Sequence, residues 1–251
     1  MPTRLKIYNC LIFITMLFLF SGCVTIYNPA TQRKETLLID TESEVALGKD
    51  MDRQIQRKLK VLTDPQRQFR LQDIGYRVST FSDRQDLIYY FRIVDDPDFN
   101  AFAIPGGFIY VNSGLIDNAT DDELAGVLGH EIGHLAARHS VKRLQVNLGY
   151  QIVMGIAMGV SGQEAIGRAT DIVFNVASLG YSRRDEFLAD KLAVKYARNA
   201  GFNPYGMITF FEKLRQEAKN KGEGFRLVFL SSHPPLEERI KNVEKEIALN
   251  P

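Results

Sequence analysis

The amino-acid sequence predicts an α+β fold, mostly helical, with one small, mainly antiparallel sheet. Two observations carry this. In four stretches, apolar residues recur every three or four positions behind recognisable helix-capping signals. The runs rich in aromatic and β-branched residues are short, lie between positions 87 and 111, and are separated by turn residues. Composition agrees: 251 residues, 45% hydrophobic and 24% charged, describe a globular chain rather than a disordered one. Thirty-one Lys and Arg against 30 Asp and Glu leave a net charge of +1, which argues against the strongly basic surface of a nucleic-acid binder. Two cysteines are too few for a disulfide framework.

Residues 1–22 read as an address. Arg4 and Lys6 precede a largely apolar run at 7–20. As a helix those residues cover about 21 Å, short of the roughly 30 Å hydrocarbon core, so a signal segment fits better than a spanning helix. The run ends in Phe20-Ser21-Gly22-Cys23, which resembles a bacterial lipobox with Phe20 where an aliphatic residue is usual. That resemblance implies a lipoprotein whose first mature residue is an acylated Cys23, membrane-anchored and without a free thiol, as suits the periplasm. Val24 after the cysteine favours the outer membrane. Residues 23–39, polar and without clear period, are expected to be a tether, leaving 40–251 as the folded domain.

Within that domain, Thr41 and Glu44 have capping-box spacing, and Val45, Met51, Ile55, Leu59 and Leu62 follow as the apolar face of a helix. Pro65 after Asp64 opens a second helix through Phe69, Ile74, Val78 and Phe81. Strands are expected at 87–94, 100–104 and 108–111, with Pro105-Gly106-Gly107 turning the chain between the last two. Thr120 and Glu123 form another capping box, ahead of Leu124, Val127, Leu128 and Leu135.

Inside this last helix lies His130-Glu131-Ile132-Gly133-His134. Residues four apart share a helix face, so both imidazoles can reach one ion, and zinc accepts such nitrogen ligands while leaving a position for water. Glu131, about 100° around the helix, is placed to take that water's proton. Chance produces this pattern in roughly 0.4% of chains of this composition. On a continuous helix His139 falls about 140° from His134, off the ligand face, and reads as a surface or core histidine. The third ligand is expected from the helix capped by Ser182, where Glu186 would bind the metal and Asp190, four residues on, would accept a hydrogen bond from a ligand histidine.

The motifs at 130–134 and 186–190, with the block Asn100-Ala101-Phe102-Ala103-Ile104-Pro105-Gly106-Gly107 upstream, closely resemble gluzincin metallopeptidase family forty-eight, the family of HtpX and the CAAX prenyl proteases. The length and lipobox are most similar to its small periplasmic lipoprotein branch. The resemblance implies a zincin-like metalloendopeptidase fold with one Zn²⁺ per chain on His130, His134 and Glu186, and Glu131 as general base. It implies that Asn100, Ala101, Phe102 and Ala103 form an edge strand that pairs with substrate backbone, where a plain edge strand is the other reading. It also implies that His233 and Arg239 stand near the metal and steady the oxyanion, against a Pro-stiffened loop whose Arg239 only salt-bridges. Unfolded or misassembled envelope proteins are the implied substrates. A zinc-containing chaperone or scaffold, or a protease latent until a partner opens it, is the alternative. The apolar 150–180 segment is expected as a helical hairpin over the site, or as a surface for membrane or partner protein.

Overall fold

The computed structural model describes residues 24–148, 155, 181–221 and 236–249. The segment expected to be a signal, Cys23, almost all of the apolar 150–180 stretch and His233 lie outside the described residues. The first described elements lie within the stretch expected as a tether. Strand β1 (Val24–Asn28) pairs antiparallel with β2 (Arg33–Leu37). Asn28 accepts from the Ala30 N–H and donates to Glu35, closing the turn, and Lys142 reaches Glu35 at 2.6 Å. Leu37 and Ile39 are buried, so the segment is docked.

Helix α1 (Thr41–Lys58) is capped by Asp40, whose carboxylate accepts from the Ser43 N–H at 2.8 Å, and not by the expected box of Thr41 and Glu44. Leu47, Met51 and Ile55 are its buried stripe. The helix stops before Leu62, which belongs to β3 (Val61–Leu62). Helix α2 (Pro65–Ser79) starts as predicted, with Pro65 in its first turn and Asp64 as cap. Then come β4 (Tyr90–Val94), shorter than the expected strand, β5 (Ala101–Ile104), a 3₁₀ turn (Pro105–Gly107) and β6 (Phe108–Asn112).

The sheet order is β3-β4-β6-β5; β3–β4 and β5–β6 are antiparallel and β4–β6 parallel. Both faces of β5 and β6 are buried, which is why β6 reads as continuously apolar rather than alternating. Ala101, Ala103, Ile109 and Val111 join the larger core with α2; Phe102, Ile104, Phe108 and Tyr110 join Leu47, Met51 and Ile55 of α1. Helices α3 (Ser113–Asn118), α4 (Asp121–Ala136), α5 (His139–Leu148), α6 (Arg183–Asn199), α7 (Gly206–Lys221) and α8 (Leu236–Leu249) complete the described chain. Helix α4, capped by the predicted reciprocal box of Thr120 and Glu123, runs through the centre, against α2, β5, α6 and α7.

Helix α1 packs on the 3₁₀ turn that sets the end of β5, and it does so through Gly48: a Cβ there would lie 2.0 Å from the Pro105 carbonyl oxygen. Helix propensity alone favours alanine by about 1 kcal/mol. Overpacking against a fixed backbone costs about 1–3 kcal/mol, and this turn cannot shift without moving β5. Gly48→Ala is therefore expected to lower the urea unfolding midpoint, by about 1 kcal/mol in stability; a raised midpoint would mean that propensity, not contact, governs the position.

Candidate metal centre

The site is built where α4 and α6 cross almost in backbone contact. Gly129 faces Ala193 and Gly133 faces Ala189, and a Cβ on either glycine would stand 3.1 Å from the opposing backbone. Ser182 caps α6 by accepting from the Asp185 N–H at 3.2 Å. That start puts Glu186 and Asp190 one turn apart on the face turned to α4. His130, Glu131, His134, Glu186 and Asp190 are all buried.

The His130 and His134 Nε2 atoms lie 3.0 Å apart. Glu186 places Oε2 3.6 Å from the first and Oε1 3.5 Å from the second. Tetrahedral ligands at zinc–ligand distances of 2.0–2.2 Å are about 3.4 Å from one another, so these three side chains converge as a metal would require. Charge agrees. When Glu131, Glu186 and Asp190 are all ionised, Arg239 neutralises one of three buried carboxylates, and a divalent cation balances the other two. Burial, reinforced by Arg239, drives the His130 imidazole down to about 3, so it is held neutral as a ligand must be. Burial pushes the Glu131 carboxyl up to about 7. The Ala103 N–H of β5 donates to that carboxylate, so the edge strand and the proposed base are joined.

His130 Nδ1 stands 2.9 Å from Asp190 Oδ1, in the geometry expected of a carboxylate that fixes a ligand's tautomer. Burial works to raise the Asp190 pKa, but Arg239 more than offsets it and holds the group below the usual carboxylate range. Arg239 stands beside the ligand residues Glu186 and His130. It is fully buried, reaches Asp190 through Nε at 2.9 Å and Nη2 at 2.6 Å, pairs with Glu186 through Nη1 at 3.2 Å, and lies over the Phe211 ring. It stands behind the ligands as their countercharge. Strand β5, with Ala101, Phe102 and Ala103 in it and Asn100 just before, is the sheet edge as predicted, and all four residues are buried.

Two residues of the centre escaped the sequence reading. His139 is not off the ligand face, because α4 ends at Ala136 and His139 starts α5 with Nδ1 2.8 Å from His134 Nδ1. Tyr181 stacks on the His134 ring at 4.1 Å between centroids. Arg138, with φ 55°, makes the turn between the helices, and nothing in its residue type announces a left-handed position. Tyr181 could have been found only by its adjacency to the α6 cap.

The profile of peptidase family M48 matches residues 65–247. The metalloprotease LoiP of Escherichia coli (strain K12) is 33% identical over 161 residues, 63% of this chain and 62% of its own length. The mitochondrial metalloendopeptidase OMA1 of Schizosaccharomyces pombe is 30% identical over 171 residues, 67% of this chain and 50% of its own. The β-barrel assembly-enhancing protease of E. coli (strain K12) is 24% identical over 227 residues, 86% of this chain and 46% of its own. In each case the chain spans less than two thirds of the relative's length.

Removing Arg239 strands two buried carboxylates, and breaking a buried pair from one side costs about 3–5 kcal/mol. Arg239→Ala is therefore expected to lose about that much stability in metal-free denaturant titrations, with zinc recovering part of it; a loss under 1 kcal/mol would show the cluster to be hydrated. Asp190→Asn, which keeps the volume, is expected to weaken zinc binding 10- to 100-fold in chelator competition.

Proposed function

The chain belongs to peptidase family M48, and on that premise we propose that it is a membrane-anchored zinc metalloendopeptidase acting on unfolded or misassembled proteins of the bacterial cell envelope. The observation that carries the reading is the convergence of His130, His134 and Glu186 within 3.0–3.6 Å, with Glu131 buried beside them on the same helix. Zinc held by these three side chains would polarise a scissile carbonyl and bring the pKa of a water toward about 7. Glu131, poised near neutrality by burial, accepts the proton of the attacking water and returns it to the leaving amine.

An extended peptide added to the edge of β5 would be held by main-chain bonds, which suits substrates recognised for being unfolded rather than for a particular side chain. Placement in the envelope is supported by the lipobox-like residues 20–23 and by relatives named β-barrel assembly-enhancing protease in E. coli and Vibrio cholerae. Among the described residues no helix is long and apolar enough to cross a membrane; the anchor in this reading is a lipidated Cys23.

Cleavage of casein by the full chain, at matched zinc occupancy, tests the reaction. Glu131→Gln is expected to lose about 10²- to 10⁴-fold in kcat/KM while binding zinc as the wild type does; equal cleavage by both would sink the assignment. The active form of Glu131 is the carboxylate, so activity falls as pH drops through its pKa. Burial raises that value from 4.5 toward about 7 and a bound cation draws it back. The acid limb of kcat/KM is expected between those limits, and a limb below pH 4.5 would show that Glu131 is not the group titrated.

A further inference from the structure

The two histidines of the centre are supported unequally. His130 has Asp190 on its outer nitrogen, a carboxylate partner that the sequence pattern already suggested. At the same position of His134 stands another imidazole: its Nδ1 faces Nδ1 of His139 at 2.8 Å. The tautomers along this contact are determined by geometry. His134 directs Nε2 toward His130 and Glu186, so a neutral ligand carries its proton on Nδ1. His139 Nδ1 must then accept, which leaves the His139 proton on Nε2, and that atom lies 3.3 Å from Asp185 Oδ1. The chain of donors therefore runs one way, from the ligand through His139 to a carboxylate that is partly exposed beside the α6 cap.

This arrangement is held at some cost. Arg138 adopts a left-handed φ of 55°, a conformation that side-chain-bearing residues seldom take and that persists only where the surroundings enforce it. Those surroundings are present: Arg138 is buried, pairs with Glu44 of α1 at 3.0 Å and donates to Thr41 at 2.8 Å. Were α4 to continue as a regular helix, His139 would point away from His134. The turn at Arg138 is what returns the ring to the site.

We propose that His139 is a positioning residue for the metal centre, fixing the tautomer and ring plane of His134 through a His134–His139–Asp185 chain. It rests on the metal reading of His130, His134 and Glu186, and its test separates the two. Zinc dissociation constants of the full chain are measured by chelator competition, and optical spectra of the cobalt-substituted protein are recorded on the same samples. The wild type binds zinc. His139→Leu is expected to bind it 10- to 100-fold more weakly, with shifted cobalt bands. His139→Gln, whose amide oxygen can accept from His134 Nδ1, recovers most of that loss, which mere filling of space would not do. Asp185→Asn, one bond further out, weakens zinc by a few-fold. Wild-type affinity in His139→Leu, or a loss in His139→Gln as deep as in His139→Leu, overturns the assignment. Should His139→Leu fail to fold, unchanged affinity in both His139→Gln and Asp185→Asn overturns it. A wild type that binds no zinc overturns the metal reading itself, and this assignment with it.

Discussion

Glu186 can share an ion with His130 and His134 only if the backbones of two helices nearly touch, and the molecule arranges this by leaving side chains out. Gly129 and Gly133 lie on the α4 surface that meets Ala193 and Ala189 of α6. A methyl group on either would meet backbone 3.1 Å away, and the axes would have to part. Parting by even a few tenths of an ångström would matter, because the ligand atoms already stand at separations set by a coordination shell rather than by van der Waals contact. The close crossing also buries the carboxylates and imidazoles between the helices, and burial is the largest influence on their proton affinities.

Burying that many charges requires compensation, and it comes from several parts of the chain. Arg239 from α8 neutralises Asp190 and Glu186 together, its guanidinium sandwiched between the carboxylates and the Phe211 ring of α7. Near the C-terminal end of α4, Arg84 and Arg138 share Glu44 and both also reach Asp86, while Arg84 donates to the Leu135 carbonyl. The first cluster holds the ligand face and the second holds the end of the helix that carries it. Edge strand β5 contacts both sides, through the Ala103 N–H at Glu131 and through the 3₁₀ turn where Gly106 faces Glu44. The base, the ligands and the strand proposed to hold a peptide are thus parts of one connected polar framework around α4.

Much of this was legible in the sequence where a local rule sufficed. The His130-to-His134 spacing, the box of Thr120 and Glu123, the Asp64-Pro65 start and the Ser182 cap each involve residues within a turn of one another, and short-range geometry determines them. The misses share a different cause. The β1–β2 hairpin buries few side chains, so it produces no apolar alternation, and its docking depends on Lys142 more than a hundred residues away. Asp40 caps α1 because Glu44 is drawn inward to two arginines and is not free to close a box. His139 was misplaced because a helix-wheel argument assumes the helix goes on, and Arg138 interrupts it with no glycine, asparagine or proline as warning. The pairing of Arg239 with Glu186 and Asp190, some fifty residues earlier, is a tertiary effect that no local pattern encodes.

The position of that arginine along the chain sets an order of assembly. During synthesis or export the polypeptide emerges from its N-terminal side, and Asp190 is free some fifty residues before Arg239 follows. Until then the ligand helix carries two carboxylates that lack their arginine, so closing α4 and α6 on each other costs more. Closure, and with it the burial that tunes Glu131, is therefore cheaper once α8 has docked. The countercharge that lets the ligand helices meet is carried by the last described helix of the chain.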